Sequence, residues 1–171
     1  MNAEQAKFLA EFYATVLEQE SETTVKVLTA AAAARPDYKP DPKSRSAREL
    51  ATHVATGDIW FLDSICDGAF NFDPEAEKRM SGDLKDGNAI VEFYKREYPK
   101  RVARLRAMSG EQLAQTVDFF GMLQQPAAAF LSIANNHGIH HRGQLAAYLR
   151  AAGSKVPSLY GGSADEPMKG M

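Results

Sequence analysis

The sequence has few of the features that direct a protein to a membrane, to the secretory pathway or to nucleic acid. It contains one cysteine, Cys66, so no disulfide can form within the chain. No apolar run approaches the roughly 20 residues of a membrane-spanning helix, and no basic-then-apolar signal sequence opens the chain. The formal net charge is -2, which leaves no basic excess to neutralise nucleic acid phosphates. We therefore expect a cytoplasmic protein that binds neither membranes nor nucleic acid.

What is present is the composition of an ordinary globular protein, with 44% hydrophobic and 25% charged residues in 171 residues, a length that suits one domain. Apolar residues recur at helical spacing in four segments, at about 2–34, 46–67, 88–108 and 126–152. We find no internal repeat and no convincing strand. The pattern predicts an all-α four-helix bundle over residues 1–171, in which about 154–171 form a loosely docked tail, and it leaves the order of the helices in the bundle open.

Local signals set the ends of these segments. Ser46 and Glu49 form a capping-box pattern before the second helix, and Gly68 is expected to stop it. A surface loop is predicted over 68–87, and 116–121 looks extended. Pro126 is expected in the first turn of the last helix. The inward stripe of the first helix is predicted to consist of Phe8, Phe12, Val16, Thr23, Val27 and Ala30, and that of the third of Val91, Tyr94, Tyr98, Val102 and Leu105.

The last helix holds three of the four histidines. His137 and His141 are one helical turn apart and therefore lie on one face, at a spacing that lets two imidazoles share a metal ion. His140 falls at the edge of that face, and Arg142 falls outside it. Buried histidines that simply bond to neighbouring groups are the alternative, but each of two stacked rings has an acceptor nitrogen that needs a donor. The same face is predicted to carry Phe130, Ala134, Leu145, Tyr148 and Ala152.

The fourth histidine, His53, lies on the second predicted helix. Gly57 follows it by one turn and leaves space for a ligand or for another helix. A lone histidine in such a place is more often structural, so His53 gains its interest from the distant pair. We expect the fold to bring His53 to His137 and His141.

Other side chains near the histidines have two interpretations each. Gln144 either orients a metal ligand or substrate through a hydrogen bond, or is a polar residue of helix packing. Trp60 and Tyr148 either line an apolar pocket or pack in the core. Arg142 is expected to pair with a carboxylate, and Cys66 is expected to be a small buried hydrophobe rather than a nucleophile.

The run from His137 to Gln144, HGIHHRGQ, resembles the HxxxHRGQ signature of the DinB family of DinB/YfiT-like metalloproteins. Ser46 to His53 looks like the start of the helix that carries the first metal ligand of that family. Gly153 to Gly161 is similar to the usual family ending. The resemblance covers nearly the whole chain in helix order and length, and it is specific for the family but not for a substrate.

The resemblance implies a four-helix bundle, often a homodimer, that holds a divalent metal on three histidines, which here would be His53, His137 and His141. Members with assigned activities include metal-dependent transferases of low-molecular-weight thiols, such as bacillithiol or mycothiol, and a maleylpyruvate isomerase. The family offers no distinctive role for His140.

Three histidines with an open fourth position are typical of catalytic rather than structural zinc. Zinc is the first choice of metal, with nickel, iron, copper or manganese as alternatives, because imidazole suits several of these ions. We expect a metal-dependent thiol S-transferase that activates a low-molecular-weight thiol as thiolate and acts on a small-molecule substrate. The alternatives are a hydrolase that uses metal hydroxide and a non-catalytic, metal-binding, stress-associated dimer.

Overall fold

The computed structural model describes residues 1–168, without the side chains of residues 76 and 77, and this part of the chain is mostly helical. Residues 169–171, the end of the predicted tail, lie outside the described residues. In chain order the elements are α1 (Ala3–Ala32), α2 (Ala47–Asp67), α3 (Pro74–Asp83), α4 (Gly87–Ala107), α5 (Gly110–Ala114), β1 (Thr116–Phe119), β2 (Leu123–Pro126), a short 3-10 helix (Ala127–Ala129) and α6 (Phe130–Leu149).

The four longest helices enclose the core. Helices α1 and α2 each pack against both α4 and α6, and the buried side chains of all four form one hydrophobic cluster. The predicted all-α class is confirmed, and these contacts fit the predicted bundle. None of the helices within the described residues is both long and apolar enough to cross a lipid bilayer.

Helix α2, which carries His53, begins and ends where the sequence predicts. The Ser46 hydroxyl accepts the Glu49 backbone N–H at 3.2 Å, and the Glu49 carboxylate accepts the Ser46 N–H at 2.6 Å. Together these two bonds satisfy backbone donors that a helix start leaves unpaired. Gly68 follows as the C-cap in the left-handed conformation. Because this cap fixes where α2 begins, it also fixes the position of His53 along the helix.

The inward face predicted for α1 is wrong in its aromatic members. Phe8 and Phe12 are 75% and 56% exposed. The physical reason is that α1 lies close to its neighbouring helices, where small side chains fit and bulky rings do not. Its buried residues are Ala6, Ala10, Ala14, Leu17, Thr24, Val27 and Leu28.

Two connections also differ from the prediction. The loop expected over 68–87 contains α3, in which Pro74 occupies the first helical position, where its missing N–H costs nothing. The expectation of no convincing strand is wrong, because β1 and β2 pair antiparallel, although the extended character of 116–121 is confirmed over most of its length. Pro126 ends β2, so α6 begins four residues later than predicted.

Candidate metal centre

The three histidines singled out in the sequence meet between α2 and α6. His53 projects from α2, and His137 and His141 project from consecutive turns of α6. One ring nitrogen from each residue lies within 4.8 Å of the others. The ring centroids are separated by 5.2 Å for His53 and His137, by 4.5 Å for His53 and His141, and by 4.5 Å within the α6 pair. This trio, which we call the histidine triad, has the number, spacing and ligand type of a metal site.

Gly57 makes room for the triad on α2. A Cβ atom at this position would lie 2.8 Å from Cε1 of His137, closer than real Cβ contacts come. On another side the ring of Phe61 lies 4.9 Å from the His137 ring, centroid to centroid. The missing side chain of Gly57 lets the His137 ring approach α2, and the large ring of Phe61 packs against it there.

All three imidazoles have a pKa below the ordinary value for histidine, mainly because burial disfavours the charged ring. Burial lowers the pKa of His53 to about 4 and that of His137 to about 3. Neutral imidazole is the form that binds metal ions, so the triad is deprotonated and ready at neutral pH.

Gln144 fixes the orientation of His141. Its side-chain oxygen lies 3.0 Å from Nδ1 of His141. An amide oxygen only accepts, so Nδ1 carries the proton, and Nε2 of His141 keeps a free lone pair. His140, by contrast, is exposed and lies outside the triad, with its ring centroid 4.7 Å from that of His141.

The chemistry of the donor set fits a metal ion. Nδ1 of His137 is buried and has no hydrogen-bond partner among the residues that the structure describes. A buried ring nitrogen without a partner is costly, and a cation or a water molecule would remove that cost. Three neutral imidazoles suit zinc, nickel, copper or iron, and ligand type alone does not separate these ions.

Arg142, one residue beyond the triad, does not point outward as predicted. It is buried, with 2% of its side chain exposed, and it forms an ion pair with Glu20 of α1. Its guanidinium also donates to the Glu20 carbonyl and to the Thr24 hydroxyl, both at 2.9 Å. The expectation that Arg142 pairs with a carboxylate is confirmed. The error in direction arose because helical periodicity alone gives no sign of a partner on a distant helix.

A buried carboxyl group lies beside the triad and was missed in the sequence. Asp58 is buried and accepts the Tyr94 hydroxyl at 3.0 Å. Burial raises the pKa of Asp58 to about 7, and the bond from Tyr94 and the charge of Arg142 oppose that rise. A Cβ on Gly138 would lie 3.0 Å from the carboxylate, a tight contact, so glycine leaves room for Asp58 here. The available signal was an acidic residue on the apolar face of α2.

An apolar pocket of about 230 Å³ opens on one side of the triad. Trp60 is one of its walls, as one of the two interpretations held, whereas Tyr148 is buried in the core beside Tyr38. The Trp60 indole donates to the Asn71 carbonyl at 2.8 Å and so fastens the loop after α2 to the pocket. We call this space the apolar pocket; its lining includes His53, His137, Gly57, Trp60, Phe61 and Phe72.

Known proteins resemble the chain in sequence and in structure. The model of the DinB family matches residues 2–169. YjoA, an uncharacterised protein of Bacillus subtilis, is 33% identical over 125 residues, which are 72% of this chain and 77% of YjoA. Its crystal structure, described as that of a DinB-like protein, has a TM-score of 0.65 at 27% identity and covers 84% of this chain and 92% of that chain.

Two further solved structures are similar. A DinB-like protein from Bacillus cereus has a TM-score of 0.69 at 25% identity, covering 88% of this chain and 97% of that chain. The mycothiol-dependent maleylpyruvate isomerase has a TM-score of 0.52 at 13% identity, covering 90% of this chain and 62% of that chain. The second likeness is one of fold alone.

Proposed function

Because the chain belongs to the DinB family, we propose that it is a metal-dependent thiol S-transferase whose divalent ion is held by His53, His137 and His141. The observation that carries the proposal is the meeting of three neutral imidazoles, two of which, His53 and His137, line an apolar pocket. The maleylpyruvate isomerase of similar fold depends on mycothiol, which supports a search among small thiols for the co-substrate. Zinc is the metal proposed first.

The triad would supply three protein ligands to a divalent ion, the number that catalytic zinc sites use when small molecules complete the coordination. A divalent ion held by His53, His137 and His141 would lower the pKa of a coordinating thiol and so favour the thiolate near neutral pH. The Gln144 side-chain oxygen, 3.0 Å from Nδ1 of His141, would favour the proton on Nδ1 and leave Nε2 to bind the ion. Neutral ligands leave the full charge of the ion in place, and the low pKa values of His53 and His137 keep these ligands neutral.

The thiol of the reaction comes from outside the chain. Cys66 is the single cysteine, and burial raises its pKa to about 11, so that the thiolate is scarce at neutral pH. Cys66 also lies outside the lining of the apolar pocket. A free small thiol is therefore the better nucleophile.

The apolar pocket is the proposed place of the electrophile. Its walls expose mostly apolar atoms of Trp60, Phe61 and Phe72, which suit an aromatic or aliphatic carbon skeleton. With a chlorinated aromatic compound, the thiol sulfur forms a bond to the ring carbon, and the carbon–chlorine bond breaks. Chloride leaves with the bonding electron pair, and the thiol proton passes to the buffer.

The test begins with metal analysis of full-length protein purified without a histidine tag. Zinc-loaded protein is then mixed with chlorodinitrobenzene and a set of small thiols, and the conjugate is measured by its absorbance. We expect conjugation above the uncatalysed rate with at least one thiol, and its loss in His141→Ala but not in His140→Ala. No conjugate with any thiol contradicts the transferase proposal. Turnover of ester substrates without thiol would instead indicate hydrolysis.

We propose in addition that the protein is a homodimer. Phe8 and Phe12 lie one turn apart on α1 and are both more than half exposed, which suits contact with a second copy. Sedimentation velocity tests this proposal. A dimer that dissociates in Phe12→Glu supports it, and a monomeric wild-type protein contradicts it.

A further inference from the structure

A second hollow reaches the triad from another direction. It has a volume of about 750 Å³, is more open than the apolar pocket, and shares His53 and Thr56 with that pocket. We call it the basic cleft, because five of its lining residues are cationic and one is acidic. The cations are Lys39, Lys43, Arg45, Arg48 and Lys85.

The positive charge of the basic cleft is largely unneutralised. Its acidic residue, Glu49, is occupied by the Ser46 N–H in the helix cap and by Lys39 at 3.6 Å. Among the residues that the structure describes, the other four cations of the cleft have no carboxylate within 4.0 Å. The chain as a whole has a net charge of -2, so this positive charge is local and not a property of the whole surface.

Arg45 couples the basic cleft to the triad. Arg45 and His53, a member of the triad, both line the basic cleft. His53 is the physical junction, because its ring borders both the basic cleft and the apolar pocket.

We propose that the basic cleft binds the anionic end of the thiol co-substrate, a dicarboxylate or a phosphate, while the electrophile occupies the apolar pocket. This inference rests on the proposed transferase function. A thiol with a doubly negative end would be held by several cations of the cleft, and its sulfur would reach the triad at His53. Lysine and arginine are the side chains that bind carboxylate and phosphate in this way. The two hollows thus select for two reactants of opposite character.

The test compares four small probes on the full-length protein, first freed of metal and then loaded with zinc. Mercaptosuccinate is a dianionic thiol, succinate and inorganic phosphate are anions without a thiol, and mercaptoethanol is a neutral thiol. Calorimetry measures their binding to the wild-type protein, to Arg45→Glu and to Lys85→Glu. Lys26→Glu makes the same change of charge on α1, in a different groove, and is the matched control.

We expect Arg45→Glu and Lys85→Glu each to weaken mercaptosuccinate binding about tenfold at low salt, because each reverses one charge near a dianion. Lys26→Glu should change that binding less than about twofold, and mercaptoethanol should bind all variants alike. If the charge reversals weaken succinate binding by nearly the same factor as mercaptosuccinate binding, and phosphate binding by a different factor, the natural anion is a carboxylate. If phosphate binding shows the closer match, the natural anion is a phosphate. Dianion binding that is unchanged in both Arg45→Glu and Lys85→Glu overturns the proposal.

The metal-free arm separates this inference from the transferase proposal. Dianion binding that depends on Arg45, without conjugation by any zinc-loaded sample, keeps the anion site and removes the transferase function. Conjugation that is equally fast with mercaptosuccinate and mercaptoethanol, and is insensitive to Arg45→Glu, keeps the transferase function and removes the anion site. In steady-state kinetics we expect Arg45→Glu to raise the KM for mercaptosuccinate about tenfold and to leave the KM for the electrophile unchanged.

Discussion

Substitution of Gly57 by alanine is expected to change zinc affinity and the stability of the fold in opposite directions. The added Cβ would lie 2.8 Å from Cε1 of His137 and 3.6 Å from both ring nitrogens. An ordinary contact begins at 3.4 Å, so the ring must retreat by about 0.6 Å. The clash involves the end of one side chain and no backbone atom. We therefore expect the His137 ring to move and the helices to stay in place.

The magnitude follows from the narrow tolerance of metal sites. Metal–ligand distances vary by only about 0.2 Å, so a shift of about 0.6 Å takes one ligand out of range unless the other two follow. We expect zinc affinity to fall about 10- to 100-fold, the size of effect seen when the support of a ligand is lost. Stability should move the other way, since alanine favours a helix interior by about 1 kcal/mol over glycine, or about 2–4 °C in Tm.

The assay is a zinc titration against a competing chelator, with Tm measured in parallel without metal. Gly143→Ala is the matched control, because a Cβ there meets no atom within 4 Å and the residue lies on α6 just beyond His141. The control should gain stability and keep wild-type zinc affinity. A folded Gly57→Ala protein with wild-type affinity would refute the reasoning, since His137 could then not be a ligand in the observed position.

Three further predictions concern the triad and the buried charges beside it. His141→Ala should weaken zinc binding at least about 100-fold, whereas the exposed His140→Ala should change it less than about threefold. Calorimetry checks this, and equal losses would mean that the assigned facing of the helix is wrong. Arg142→Ala should lower the free energy of unfolding by about 3–5 kcal/mol, because it leaves a carboxylate on α1 without its buried partner. Arg150→Ala, which removes an ion pair of a side chain 60% exposed, should cost less than about 1 kcal/mol in the same urea titration. Similar midpoints for the two variants would contradict the assigned burial. The third prediction is a pH dependence. Burial raises the pKa of Asp58 to about 7, so between about pH 4 and 7 the folded protein holds a proton that the unfolded chain has released. The stability of the wild type relative to Asp58→Asn should therefore be greatest below about pH 4 and should decline by roughly 2–4 kcal/mol as the pH rises to 7. A difference that does not vary with pH would show that Asp58 titrates normally.

The parts of the fold that local chemistry determines were predictable. The cap at Ser46 and the stop at Gly68 place α2 to within a residue, because both depend on side chains adjacent in sequence. The face of α1 was not predictable from hydrophobicity, since a scale ranks phenylalanine above alanine and says nothing of how near the next helix lies. Phe8 is exposed and Ala10 is buried for that reason.

The candidate metal centre likewise has residues whose positions the sequence predicts and residues whose positions it does not. The shared direction of His137 and His141 follows from helical geometry, and the structure agrees with it. The approach of His53 depends on the packing of two helices distant in sequence. It was expected from the distant histidine pair and from the family resemblance, but it does not follow from the helical geometry of α2. Arg142 shows the limit of periodicity, because its partner Glu20 lies 122 residues away. A charged side chain can be buried when it pairs with an opposite charge, and a local sequence pattern does not reveal a partner that is distant in sequence.

Within the contact between α2 and α6, two polar side chains each lie against a glycine of the other helix. Gly57 on α2 clears space for His137 on α6, and the next residue along α6, Gly138, clears space for the next residue along α2, Asp58. Each helix thus gives up one side chain so that the other can place a polar group at the crossing. Relative to alanine, glycine at these two helix-interior positions costs about 2 kcal/mol of helix propensity in total. Apolar packing alone does not account for that cost. The reciprocal pair places the His137 ring and the buried carboxyl group of Asp58 next to each other along the crossing, each against a residue without a side chain.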